Sequence, residues 1–545
     1  MSLGDRVRRI SAFAAALIVC AACARVGGSS AGSGGRHPWT VPGHVRMGSP
    51  DEPDNLNPMF AHTAATDEVD AFIFAPLFRY DPKGNFVPEL VTELPTYGNG
   101  GISRDSKTIV LHFRRGVRWS DGVPLTARDL RFTWRAVMDK RNNTKSTFGW
   151  DDITAIDVPR DDLAIVHLAR PNADVMGSFG GGGGSAYPPL PEHLLGKLPD
   201  LNHAAFNAHP ISSGPWLLAK WNHGASLVFA PNPHYWRGPP KLRALEYDIV
   251  PNPDTLVSEL RTHEIDLVAP VPEEVVPQLG GVAGVRVVKS LLANWRHLGI
   301  NCGKPPLDDV RVRRAVAQAV DWDRINRTVY HGFNIRAHSD IVPDSWAAPD
   351  VPLYRHDPAA ARRLLDAAGW HAMGNDVRRK AGIPLELTIE ATNKPGNADA
   401  EVQMQQDLRA VGIKVSVKNY PTSLFFAQDG PLYTGHYDLG WAIDTNGPDP
   451  DNEANWSADF IPPHGLNTSF LRDPVITRTS AQALRTFDRS KRKALYQTEE
   501  ARIHEVVPAV FVYWETGIAA YNDDLRGYRP AEYITNDWNS WEWSI

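Results

Sequence analysis

The chain has 545 residues, 42% of them apolar and 22% charged, ordinary globular values that exclude wholesale disorder and a polytopic membrane protein. Lys and Arg number 57 against 63 Asp and Glu, a formal charge of -6, so no broad positive field exists for nucleic acid. The length calls for at least two domains, and 43 Gly, 44 Pro and 17 Trp point to many turns and a cleft of large flat side chains suited to ligand binding.

Arg6, Arg8 and Arg9 precede an apolar run over 11–23. This is a signal-peptide layout, too short for a permanent membrane span. Cys20 and Cys23, two of the three cysteines, close it as Cys-Ala-Ala-Cys, which resembles a bacterial lipoprotein box. That resemblance implies a lipoprotein signal peptide over 1–23, cleaved so that Cys23 becomes the lipidated first residue of the mature protein; a plain secretory signal cleaved nearby is the alternative. Residues 24–44 are Gly/Ser-rich and are expected to form a flexible tether. Cys302 is the remaining cysteine, so no disulfide scaffold is expected.

Signatures of catalysis are poor. Gly28-Ser29-Ser30-Ala31-Gly32 has nucleophile-elbow spacing, but it lies in the tether without flanking strand or helix. His263-Glu264 and His504-Glu505 lack the second histidine four residues on that a helical zinc site needs. The glycine run at 180–184 has no lysine or helix to make a phosphate cradle and reads as a loop. No metal, cofactor or catalytic residue is expected.

In chain order from about Val45, apolar strands alternate with helix-length segments, as in a mixed α/β protein. A strand is predicted over 106–113, then a helix over 127–139 with Thr126 as N-cap and Asp129 closing a capping box. Strands follow over 226–230 and 245–250, and a helix over 253–263 starting on proline. Further helices are predicted over 305–320, capped by Asp308, and after Asp357-Pro358 with Gly369 as C-cap. Strands over 383–391 and 413–419 flank a helix over 399–411, and 437–441 is a short strand.

Several segments, in register over almost the whole chain, resemble the solute-binding proteins of peptide-type ABC importers, extracytoplasmic family 5. They are DNLNP at 54–58, PLFRYDPKGNFVPELV at 76–91, LHFRRGVRWSDGVPLTARDL at 111–130, SSGPW at 212–216, NPHYWRGPPKLRALEYDIV at 232–250, HEIDLV at 263–268, PPLDDVRVRRAVAQAVDWDRI at 305–325 and DPAAARRLLDAAGW at 357–370. The resemblance implies an α/β, two-lobed periplasmic-binding-protein type II fold with a hinge of two crossing strands near NWRHLGIN and AVFVYWE. Lobe 1 is expected over 45–294 and 515–545, with an extra subdomain over about 80–210, and lobe 2 over 295–514.

The implied function is a monomeric, lipid-anchored receptor, in the periplasm or at the cell surface. It captures a di- or oligopeptide by lobe closure and delivers it to an ABC permease in the inner membrane. In YDLGWAIDTNGPDPDN at 437–452, the family pattern puts the aspartate that receives the peptide ammonium at Asp444. A carboxylate in a closed cleft discriminates because an uncharged ligand leaves it desolvated and unpaired. Trp441 is expected as an apolar wall, Lys394 in TNKPGN as the cation for a free carboxylate, and Thr63 and Trp295 as further pocket residues. Asp449 and Asp451 read as turn-formers. Alternatives are a non-peptide solute on the same scaffold (a metal chelate, haem-like molecule, opine or oligosaccharide), a secreted hydrolase, and a surface sensor or chaperone.

Overall fold

The computed structural model describes residues 35–545 except 61–62, 83, 181–185, 373, 375–376, 395 and 531–536. Cys20, Cys23, the signal segment, the serine pattern at 28–32 and most of the glycine run at 180–184 lie outside the described residues. The chain divides into two units, Met1–Thr40 and Val41–Ile545. In the first, the rings of His37 and Trp39 stack at 4.5 Å. In the second, the folded body begins earlier than the expected tether end: the Gly43 N–H donates to the Ile545 carbonyl at 3.2 Å.

One eleven-stranded sheet organises the body. Its strands are β1 (His44–Ser49), β2 (Trp216–Asn222), β3 (Ser226–Pro231), β4 (Ala244–Ile249), β5 (Leu267–Val268), β6 (Val285–Ile300), β7 (Ile335–Arg336), β8 (Glu386–Thr392), β9 (Lys414–Tyr420), β10 (Leu439–Thr445) and β11 (Ala509–Asn522). The order is β9-β8-β10-β6-β11-β5-β1-β4-β3-β2, with β7 beside β11. The two long strands β6 and β11 run antiparallel and serve both halves. Val285 to Leu291 pair with Asn522 to Thr516, and Trp295 to Gly299 pair with Trp514 to Ala509. The register breaks between Leu291 and Trp295 and again between Arg296 and His297. Such bulges bend and twist a strand pair, so the crossing strands change direction where one half gives way to the other.

Each half has its own core, which makes the body two-lobed. Val45, Phe72, Trp119, Trp150, Trp216 and Trp543 pack in the first. Leu298, Val316, Trp322, Met404, Trp441 and Tyr513 pack in the second. A three-stranded sheet of Thr108–His112, Leu163–Leu168 and Ile153–Arg160 is added to the first lobe, and its Ile109, Ile156 and Val166 join the first core.

Local signals acted largely as predicted. Ala127–Met138 is a helix with the capping box formed: the Thr126 side chain accepts at its start and the Thr126 N–H donates to Asp129 at 2.8 Å. Pro253–Thr262 and Pro358–Ala367 both carry proline in the first turn after Asn252 and Asp357 caps. The second of these helices is capped by Ala368, one residue before the predicted Gly369, which follows it with φ +85°. The predicted helix over 305–320 is shorter, Val310–Ala319, and its cap is Asp309 rather than Asp308. Pro305 and Pro306 have no N–H to contribute and bias the residue before each away from helix. The predicted strand over 383–391 is split into Ile383–Pro384 and β8. The short strand at 437–441 is displaced to Leu439–Thr445, a shift that decides the site.

Candidate functional site

Alternation along a strand puts residues two apart on one face and residues an odd number apart on opposite faces. Because β10 continues through Thr445, Asp444 shares its face with Ala442 and Gly440, while Trp441 points the other way. Gly440, Ala442 and Asp444, with Trp295, His297 and Gly299 of β6, line a pocket of about 130 Å³. A Cβ on Gly440 comes to 3.0 Å from the Leu432 side chain, so glycine keeps that floor open. The remaining wall comes from the excursion after β9 and the loop after β10: Phe426, Tyr433, Tyr437, Trp456, Leu466 and Thr468. Every lining residue lies between Trp295 and Ala509, within the second core's half of the chain.

Asp444 stands opposite Trp295 across the ladder, with His297 its diagonal neighbour. Its Oδ2 lies 3.0 Å from His297 Nε2, the carboxylate side chain 43% exposed and the imidazole 9%. His297 Nδ1 is buried without a hydrogen-bond partner among the described residues. Trp295 packs against the imidazole at a tilt of 36° with centroids 4.4 Å apart and donates from Nε1 to Asn446 Oδ1 at 3.1 Å, so the histidine has little freedom to leave Asp444. The Tyr433 hydroxyl is pushed above its ordinary pKa by burial and by the Asp444 charge and stays a neutral donor. Behind Trp456, whose Nε1 donates to Asp340 Oδ2 at 2.7 Å, lie Glu499 and Glu500, both held well above the carboxylate range by burial.

The second notable feature is an open strand edge. β10 pairs with β6 over its whole length, but with β8 only as far as Trp441 opposite Ala391. From Ala442 to Thr445 the far edge has no strand partner among the described residues, and such an edge offers backbone groups to an extended ligand.

Of the residues singled out in the sequence, Asp444 and Trp295 come together in this pocket. Trp441 does not. It is 1% exposed, stacks on Trp322 with centroids 6.0 Å apart and lies 5.5 Å from the Arg296 guanidinium; strand parity makes it core. Lys394 is exposed in the loop after β8 and is absent from the pocket lining. Thr63 is the N-cap of the helix Ala64–Ile73, its hydroxyl accepting from the Thr66 N–H at 3.3 Å, a structural use of the side chain. Asp449 and Asp451 do order their turn: Asp449 accepts from the Asp451 N–H at 3.0 Å and Asp451 from the Glu453 N–H at 3.2 Å. Asp449 also holds both terminal nitrogens of buried Arg492, at 2.5 and 2.6 Å. Sequence reasoning missed His297, although its signal was present, two residues beyond Trp295 on a predicted hinge strand and therefore on the same face. Phe426 and Tyr433 carried no such signal, since only the folded excursion brings them to β10.

The motif histidines take structural places. His263 is the left-handed C-cap of Pro253–Thr262, and His504 stacks on Tyr354 at 4.5 Å. Burial raises the Cys302 thiol to about 11, which removes its nucleophilic form at neutral pH.

Two lobes joined by crossing strands, with a pocket beside those strands, are the architecture of a ligand-binding protein. The profile of the bacterial extracellular solute-binding proteins, family 5 middle, matches residues 85–463. The chain belongs to that family, whose members are extracytoplasmic, non-enzymatic, substrate-binding components of ABC transporters. It is 25% identical over 499 residues, 89% of either chain, to the oligopeptide-binding protein AppA of Bacillus subtilis. It is 26% identical over 495 residues, 85% of this chain and 88% of the other, to the nickel-binding periplasmic protein of Escherichia coli. Among solved structures, NikZ of Campylobacter jejuni with Ni(L-His) superposes with a TM-score of 0.75 at 24% identity, covering 93% of this chain and all 100% of that one. AppA of Bacillus subtilis with a nonapeptide gives 0.72 at 22%, covering 92% and 98%. Among the described residues, no helix is long and apolar enough to cross a membrane.

Proposed function

We propose that this chain is the peptide receptor of an ABC importer, and that it seats the ligand's terminal ammonium at Asp444. The observation that carries this reading is the pairing of a 43% exposed Asp444 carboxylate with the open edge from Ala442 to Thr445 just beside it. A charge at the end of a strand edge suits a ligand with an ammonium at the end of an extended backbone. At about 130 Å³ the pocket is well under the roughly 300–1,000 Å³ of whole-ligand sites. It therefore takes the first residue of the ligand, and the rest lies along the edge. Trp295, Trp456 and Phe426 supply apolar contact that tolerates varied side chains.

In this reading the lobes, over 45–294 with 515–545 and over 295–514, close on the peptide by rotation about β6 and β11. The closed form is what the permease in the inner membrane receives. The receptor works as a monomer outside the cytoplasm, tethered by lipid on Cys23. Among the described residues lining the pocket there is no Lys or Arg, Lys394 included, so in this reading the ligand's carboxylate lies outside it.

Calorimetry with a tripeptide and its N-acetylated form tests the assignment. The free peptide is expected to bind and the acetylated one to lose at least about tenfold, the scale of one charge-assisted hydrogen bond. Equal binding of the two rejects Asp444 as an ammonium seat. His297 in the pocket lining favours a second reading, capture of a metal chelate, since a neutral imidazole is a common metal ligand. Titration with nickel in the presence and absence of free histidine decides it: binding of the chelate but of neither peptide form replaces the peptide reading.

A further inference from the structure

A second pocket, of about 280 Å³, is lined by Tyr80, Phe86 and Met176 from the first lobe and by Trp346, Phe487 and Arg489 from the second, among others. It lies where the lobes already touch. The Ala173 N–H donates to the Leu484 carbonyl at 2.7 Å, Arg489 Nη2 to Asn85 Oδ1 at 2.7 Å, and Tyr97 meets Phe487 edge-on with centroids 6.4 Å apart. Two guanidinium groups border it, and they differ. Arg492 is neutralised by Asp449. Arg489 packs over the Trp346 ring at 4.9 Å and donates to Asn85; Asp449 and Asp81 act on it only through their charge, and no ion pair within 4.0 Å is formed by it among the described residues.

We propose that this pocket binds a small amphipathic carboxylate, its apolar body against Phe86, Met176, Trp346 and Phe487 and its anionic group on Arg489. The volume is near the lower end of the roughly 300–1,000 Å³ of small-molecule sites. An apolar recess with one convergent cation selects an anion attached to a hydrophobic body, because a bare anion gains nothing from the walls and a neutral body leaves the cation to water. A ligand there touches both lobes at once. It therefore has more affinity for the apposed lobes than for separated ones and shifts the molecule toward closure whatever occupies the Asp444 pocket. The carboxylate is that of a free small molecule, separate from whatever occupies the Asp444 pocket.

Calorimetry with phenylacetate and with neutral 2-phenylethanol tests the site. The wild-type protein is expected to bind phenylacetate about tenfold or more tightly over the alcohol, the scale of a charge-assisted contact. Arg489→Gln removes that preference. Asn85→Asp, which places a carboxylate against Arg489 from the other lobe, removes it as well with the protein folded as judged by its melting temperature. Asp444→Asn leaves it intact, which assigns the site to a free small molecule. Equal binding of the two probes, no heat with either, or an unchanged preference in Arg489→Gln overturns the proposal; so does parallel loss in Asp444→Asn, since the two pockets are then one site.

Discussion

Asp444 and His297 face one another across adjacent antiparallel strands, Oδ2 to Nε2 at 3.0 Å, with the imidazole buried and the carboxylate half-open. The hydrogen bond engages one carboxylate oxygen, Oδ2, of a residue that lines the pocket. On the proposed reading, His297 is a positioning residue for the ligand's ammonium at Asp444.

Removing the charge at Asp444 is expected to weaken an ammonium-bearing ligand by about ten- to a hundredfold, through the loss of a charged hydrogen bond. His297→Ala is expected to cost about tenfold, by letting the carboxylate rotate. In His297→Gln, whose amide N–H can still donate to Asp444, affinity recovers toward wild type. Calorimetry across the three variants checks this, and full affinity in His297→Ala rejects the positioning role.

Trp441→Ala should act on folding rather than on the pocket. Its indole is 1% exposed and stacked on Trp322, and truncating a buried tryptophan typically removes about 3–5 kcal/mol. Denaturant melts read the loss. A variant of unchanged stability with lost ligand affinity returns Trp441 to the binding surface.

Glu499 gives stability a pH dependence. It is fully buried, both its oxygens lack hydrogen-bond partners among the described residues, and burial, then the charges of Asp340 and Asp451, raise its pKa well above the ordinary 4.5. The folded state therefore keeps a proton that the unfolded chain gives up from about pH 4.5 upward. Stability from this group is full below that pH and declines as pH rises toward the folded pKa. Glu499→Gln removes the decline. It should be more stable than wild type by upwards of about 1 kcal/mol at pH 8, with little difference at pH 4. Parallel pH–stability curves for the two proteins count against this account.

Asp449 and Arg492 form a buried pair, 12% and 6% exposed. Asp449→Asn leaves the guanidinium without its counter-charge and is expected to cost about 3–5 kcal/mol. The melting temperature should fall while Asp444 keeps its ligand. If stability holds and ligand affinity falls instead, the loop after β10 belongs to the site.

Much of the architecture was legible because its causes are local. Thr126 with Asp129, Asn252 before Pro253, and Asp357 before Pro358 start helices through short-range hydrogen bonds and a missing N–H, which a run of residues displays by itself. The family segments carried the two-lobed arrangement, and the Gly-Trp pattern singled out Asp444, which lines the pocket. What needed the fold was which way each side chain points and what it meets. The end of β10 is set by its ladder with β6, a contact between residues about 150 apart in the chain. A strand that runs to Thr445 instead of stopping at Trp441 sends Trp441 into the core and brings Asp444 to His297. Lys394, singled out by its place in a family-like loop, and Thr63 are placed by the fold in an exposed loop and at a helix N-cap, neither in the pocket lining. Sequence thus determined the elements and their order, where each cause spans a few residues. The tertiary structure alone decided the pocket, because its walls come from segments that chain connectivity does not relate and only the packing of the second lobe brings together.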